Sequence, residues 1–474
     1  MIKEKLLAEV ETYKNKHINA VKNDKWRNKY HIMAPIGWIN DPNGLCEFKG
    51  KYHIFYQYSP LNSEGGLKFW GHYSSKDLLN WKEEDIAIYP DKDFDRDGVY
   101  SGSALAKDND LYIFYTGNVK EDGNHDYILS GREQNVVMVK TSDGKEFSEK
   151  VVLLTNKDFP IDMTLHVRDP KVWQDESKYF MALGARDNKD KGTLLIYSSN
   201  DLYNWSLYKK IKSQDNDLGY MWECPDLFKL DNTNIFMLSP QGIKKDGYKY
   251  NNIYQSGYFL GDIEKSSTLY LTNFNELDRG FDFYAPQSFM DSKGRRIIIG
   301  WMGVPDAVEH RNPTIKNYWQ HCLTIPRELV LENNKLYQKP IKELEGLRKS
   351  KFEMKEIKLE DNISLDIFRS NTYELLITLN KVENIEINLR EDCKLSYDNH
   401  IFKLSLGKSG CGRKVRAVEL QNIEEIRIFS DESTIEVFLN SGEEAFSTRI
   451  YNEILDKSIK FKGVGKINLI KWEF

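Results

Sequence analysis

Three short segments of the chain set a carboxylate beside a proline or a Cys-Pro pair: Asn40-Asp41-Pro42-Asn43, Arg168-Asp169-Pro170 and Glu223-Cys224-Pro225-Asp226. Taken singly, each has the composition of an ordinary turn. Together they are more informative, because each lies seven to nine residues ahead of the centre of a similar hairpin pattern. Acids brought to one place repel one another unless chemistry retains them. Two or three converging carboxylates without metal-ligand histidines suit the cleavage of a glycosidic bond. One acid protonates the leaving oxygen while a carboxylate supports the oxocarbenium-like centre. Other chemistries find less support. The nine histidines are dispersed with no HExxH motif. Ser101 and Ser103 lack a GxSxG elbow, and Cys224 reads as a packing residue rather than a nucleophile. Neither a metal nor a cofactor is expected.

The elements that must position these acids are strands. Five segments repeat a polar turn followed by an aromatic or aliphatic run: CEFKGKYHIFYQY (46–58), ALAKDNDLYIFYTG (104–117), KVWQDESKYFMALG (171–184), DLFKLDNTNIFMLSP (226–240) and QSFMDSKGRRIIIGW (287–301). Their turns centre near 50, 109, 176, 232 and 293, a period of roughly 60 that predicts a five-bladed β-propeller. In a propeller the innermost strands converge on one channel, so residues entering them meet at one mouth. The remaining two copies contribute Tyr100-Ser101-Gly102-Ser103 and Tyr284-Ala285-Pro286-Gln287, so three of five equivalent positions carry an acid. A second echo, SSKDLLNW (74–81) and SSNDLYNW (198–205), with TSDGKEF (141–147) between them, fits a later strand of each blade. Beyond a charged stretch at 338–350 come seven short strand patterns, which predict a β-sandwich. The reading is all-β: an N-terminal helix over 1–24, a propeller over 25–337, a linker over 338–350 and a sandwich over 351–474.

Charge and composition bound the partner. Sixty-seven basic residues against 72 acidic ones leave a formal charge of −5, and nothing global attracts nucleic acid or an anionic membrane. Five cysteines form an odd, widely spaced set without a CxxC pair. The N-terminal helix lacks the apolar core of a signal peptide, and no apolar run approaches the roughly 20 residues of a membrane span. A cytoplasmic monomer or homodimer acting on a small sugar is expected.

The segments HIMAPIGWINDPNG, FYQYSP, WGH, YSGSA, RDP, WECPDLF, DFYAPQSF, GWMG and LTIPREL resemble glycoside hydrolase family 32, the β-fructofuranosidases, and most closely its bacterial intracellular sucrose and sucrose-6-phosphate hydrolases. The stretch IRIFSDESTIEVFLNSGEEAFSTRIY resembles the sandwich-domain signature of that family. The resemblance implies a propeller followed by a sandwich, Asp41 as nucleophile, Glu223 as acid/base, and Asp169 as the residue that binds fructosyl hydroxyls and stabilises the transition state. It implies sugar contacts from Ile39, Asn40, Gln57, Trp70, Tyr100, Ser101, Arg168, Tyr284 and Trp301, with a purely structural role for Trp70 left open. The expected substrate is sucrose or sucrose 6-phosphate, cleaved with retention through a covalent fructosyl-enzyme. Fructan hydrolysis, fructosyl transfer and a non-catalytic sugar-binding propeller are the alternatives. Arg168 is expected to keep Asp169 charged. One departure from the family is the loop before WGH, where Glu64-Gly65-Gly66 stands in place of the Trp found in some members.

Overall fold

In the computed structural model, which describes residues 2–214, 218–261 and 268–474, five antiparallel sheets ring a channel. Their innermost strands are Gly37–Phe48, Val99–Lys107, Met163–Asp175, Met221–Leu230 and Tyr284–Met290. Each opens a blade and turns back through a tight hairpin, as the repeat predicts. The ring closes between blades 5 and 1, where Trp319–Gln320 pairs in parallel with Gly37-Trp38. The echo motif is a turn. Asp77 accepts from the backbone N–H groups of Leu79 and Asn80, and Asp201 does the same for Tyr203 and Asn204. Leu78 and Leu202 there take positive φ of 62° and 71°.

The helix Ile2–Lys22 is built from Lys, Glu, Leu and Ala with no Gly or Pro. It buries Val10 against blade 1 and Val21 against Trp26 and Met33. The last blade continues through the strand Lys335–Pro340, so residues 338–340 of the expected linker belong to it.

Ten strands, rather than seven, fill residues 351–473. YELLITL and IEINLRE are two halves of one strand, Tyr373–Leu389, which pairs along its length with Ser458–Glu473. The polar NKVEN between them reads as a turn, but it only shifts the register between Asn380 and Asn384. The sandwich core is aliphatic, with Leu375, Ile387, Leu404, Ile428 and Val437 all at 0% exposure.

The sandwich meets the propeller through buried charge. Arg327 bonds Asp278 and Glu436, His31 bonds Asp431 and Glu436, and Arg413 forks onto Asp282. Burial disfavours the His31 cation, but hydrogen bonds to the two acids outweigh it and raise its pKa to about 9. Burial likewise opposes the charge on Asp282, and Arg413 more than reverses it, lowering its pKa.

Candidate active site

Every inner strand carries a β-bulge at the end of the channel away from its hairpin. The shifts fall at Asn40-Asp41, Ser101, Asp169-Pro170, Cys224-Pro225 and Ala285-Pro286. A bulge breaks the alternation of side chains and re-aims them, and here it turns polar groups into the mouth. Asp169, Cys224 and Ala285 sit there at φ of 63°, 47° and 47°, a sparsely populated region for such residues. The expected equivalence of the three acids is corrected in detail. Asp169 opens its bulge, Glu223 immediately precedes one, and Asp41 is the second residue of its own.

A closed hydrogen-bond circuit holds Asp41. Trp38 Nε1 donates to Asn40 Oδ1 (3.1 Å), which turns the Asn40 amide nitrogen toward Asp41 Oδ1 (3.1 Å) and Gln57 Oε1 (2.7 Å). Gln57 Nε2 then donates to Ser101 Oγ (2.5 Å), so the Ser101 proton is directed to Asp41 Oδ2 (2.5 Å). Burial raises the Asp41 pKa, the Ser101 bond opposes that rise, and the nearby Glu223 charge adds to it.

Asp169 donates its backbone N–H to Thr116 Oγ1 (2.9 Å) and accepts from Cys224 N (3.0 Å). Burial lifts its pKa to about 7, against the pull of Arg168 and with the help of the Glu223 and Asp41 charges. Glu223 accepts Arg168 Nε (3.2 Å) and Nη2 (2.5 Å) on Oε1, and Tyr284 Oη (2.6 Å) and Gln241 Nε2 (2.8 Å) on Oε2. Gly184 permits this approach, since a Cβ there would lie 2.2 Å from the Trp222 carbonyl oxygen. Three carboxylates from three blades, Asp169 buried and Asp41 and Glu223 partly so, thus converge, and one guanidinium contacts Glu223 and Asp169.

The Glycosyl hydrolases family 32 N-terminal domain matches residues 31–340, and the Glycosyl hydrolases family 32 C terminal domain matches residues 343–470. The chain belongs to glycosyl hydrolase family 32. It is 40% identical over 444 residues to a sucrose-6-phosphate hydrolase of Bacillus subtilis strain 168, spanning 90% of this chain and 89% of the relative. A solved sucrose-6-phosphate hydrolase from Lactobacillus gasseri superposes with a TM-score of 0.89 at 27% identity, over 98% of this chain and 96% of that one. A family 32 β-fructofuranosidase from Bombyx mori gives 0.86 at 30% identity, over 99% and 98%.

Within this family 32 chain the structure gathers Asn40, Gln57, Ser101, Arg168 and Tyr284 around the acids, but it places other expected sugar contacts behind them. Ile39, at 0% exposure, packs in the apolar core of blade 1. Trp70, also at 0%, spends its indole N–H on the Tyr100 carbonyl (3.0 Å) and packs on Phe55 and Tyr115. It supports the partly buried Tyr100 instead of reaching sugar. Trp301 donates to His321 Nδ1 (3.0 Å) and meets Tyr284 edge-on, so it props the tyrosine that touches Glu223. Arg168 pairs with Asp169 at 3.9 Å and pulls its pKa down as expected, but burial outweighs that pull, and its closer partner is Glu223.

Three participants escape the sequence reading, and a fourth, Cys224, read there as a packing residue and not a nucleophile, stands among the acids. Cys224 Sγ lies 3.6 Å from Oδ2 of both Asp41 and Asp169. Burial and then the Asp169 charge push its pKa well up, so it stays a thiol between two acids and is no nucleophile. Gln241 stands one residue past the end of the fourth repeat segment. Trp38 precedes the NDPNG motif by two residues. Lys68 interrupts the apolar run before WGH; its ammonium lies 5.1 Å from the Trp38 ring centre beside the Gly65 turn, and burial lowers its pKa to about 8 against the attraction of Asp41. That lone charge in an apolar run was its only signal.

Proposed function

We propose that the mouth of the propeller cleaves the fructosyl bond of sucrose or sucrose 6-phosphate with retention of configuration, and that the protein acts as a β-fructofuranosidase in the cytoplasm. The observation that carries the reading is the buried triad of Asp41, Asp169 and Glu223, linked through Cys224 and Arg168. Asp41, with two donors fixing its carboxylate, attacks the fructosyl anomeric carbon while Glu223 gives a proton to the glycosidic oxygen, and the glucosyl unit leaves as an alcohol. Glu223 then takes a proton from water, whose oxygen displaces Asp41 and releases fructose. Asp169 accepts hydrogen bonds from fructosyl hydroxyls, which become stronger donors as positive charge grows on the ring. All of this is side-chain chemistry. The five cysteines are free thiols, four of them buried, in keeping with a reducing compartment.

The test is fructose release from sucrose and from sucrose 6-phosphate by purified protein, with methanol added as a competing acceptor. Methyl β-fructofuranoside is the expected transfer product. The α-anomer, or no release from either sugar, would sink the reading.

A further inference from the structure

Beside the acid/base carboxylate stands a cation that the mechanism does not use. Arg132, on the third strand of blade 2, donates Nη1 to His166 Nδ1 (3.3 Å), and Arg168 donates its own Nη1 to the same nitrogen (2.7 Å). An imidazole nitrogen that accepts from two guanidiniums carries no proton, and His166 is held neutral. Burial first, and then the charges of Arg168, Arg132 and Arg186, lower its pKa to about 2. His166 therefore draws two like charges together without neutralising either. Arg168 has its counter-ion in Glu223. Arg132 has no ion pair among the described residues, and its Nε is buried without an acceptor. The Nε2 donor of the neighbouring Gln134, whose Oε1 accepts from Arg168, is also buried and unbonded. Uncompensated guanidinium charge with orphaned donors costs stability unless an anion completes it.

The direction is informative. Glu223 must face the glycosidic oxygen and with it the leaving sugar, and Arg132 is joined to Glu223 through Arg168 and the shared His166 nitrogen, close enough to feel its charge. A planar fork with permanent charge matches a phosphate better than the partly neutralised ammonium of Lys68, which sits by the nucleophile. Resting on the family 32 reading of this mouth, we infer that Arg132, held by His166, seats a phosphate monoester on the primary hydroxyl of the leaving glucosyl unit. The chain is thereby adapted to the phosphorylated disaccharide.

Kinetics of wild type and Arg132→Gln with both sugars test this, alongside calorimetric binding of glucose 6-phosphate and glucose. The variant should lose about thirtyfold or more in kcat/KM for sucrose 6-phosphate, mainly through KM, and no more than about threefold for sucrose. Arg132→Lys should recover part of the loss. Glucose 6-phosphate should bind wild type more tightly than glucose does, and the variant should bind the two alike. Equal losses with both sugars would make Arg132 a mere prop for Arg168 and overturn the inference, as would an unchanged affinity for glucose 6-phosphate. If wild type cleaves neither sugar yet binds glucose 6-phosphate through Arg132, the hydrolase reading falls and the phosphate seat stands.

Discussion

Two of the clusters of charge in this protein behave in opposite ways. At the interface between propeller and sandwich, Asp278, Glu436, Asp431 and Asp282 are each met by Arg327, His31 or Arg413. There the pKa values of Asp431, Glu436 and Asp282 fall although all three are buried. At the mouth, Arg168 meets Glu223 closely and Asp169 at 3.9 Å, the Lys68 charge attracts Asp41, and the pKa values of Asp41 and Asp169 rise. Residue types are alike in the two places, though Asp41 and Glu223 are only partly buried. Each interface acid is held in a close ion pair, whereas among the described residues Asp41 has none and Asp169 only a long one, and that separates a charge cluster that holds domains together from one short of close counter-charge.

The largest effects should come from the mouth. Asp41→Ala and Glu223→Ala should each lower sucrose turnover by several powers of ten with circular dichroism and melting temperature preserved, because both steps of a retaining reaction need both groups. With an activated leaving group, Glu223→Ala should still show a burst of released leaving group. Wild-type rates in either variant would remove the assignment.

Asp169→Asn should cut kcat strongly while KM moves little, and it bears on the comparison directly. A carboxyl whose folded pKa is about 7 against an ordinary value of 3.8 loses stability for the fold as pH rises through that window. The amide escapes the loss. It should therefore melt higher than wild type at pH 8 and like wild type near pH 4. A lower melting temperature at pH 8 would mean that the mouth is not short of counter-charge.

The interface should answer in the reverse sense. Arg327→Met leaves Asp278 buried without its cation and Glu436 with His31 alone, a loss of about 3–5 kcal/mol, read as a drop in melting temperature with kcat at 25 °C unchanged. Adding Glu436→Gln should return part of it. His31 has a folded pKa of about 9 against 6.5. Its contribution is whole below pH 6.5 and fades as pH climbs through 9, so wild type should lose stability between those values and His31→Asn should not. The smallest expected effect is none at all: EDTA and a thiol reductant should leave the rate unaltered, since the cysteines are unpaired and no metal-ligand cluster is found among the described residues. Lost activity restored by a divalent ion would mean that the mouth has been misassigned.

How much of this was written in the chain follows from how local each feature is. The five hairpins were legible because a polar turn and its apolar strand lie within fifteen residues of one another. The acids were legible through that phase. Their offsets were not, since a bulge is a matter of register with a partner strand. Arg168 was paired by sequence with its neighbour Asp169, and that pair is present, but its closer partner Glu223 lies 55 residues away in the chain and gave no local signal. Ile39 and Trp70 carry the right motif and have fully buried side chains. Other quoted segments proved to serve architecture: LTIPREL supplies Arg327, DFYAPQSF begins at Asp282, and the sandwich signature holds Asp431, Glu436 and Arg449, all at the domain interface.

The clasp between Gly37-Trp38 and Trp319-Gln320 has a consequence for the order in which the molecule comes into being. Asp41 leaves the ribosome within the first inner strand, yet the strand that closes the ring against it is made some 280 residues later, and the Asp431 that receives the backbone of Lys29 and Tyr30 later still. Synthesis runs from one end and domains fold as units, so the nascent chain holds its nucleophile in an unclosed arc for most of its translation. A chain terminated before Trp319 would carry Asp41 without the strand that closes the ring beside it.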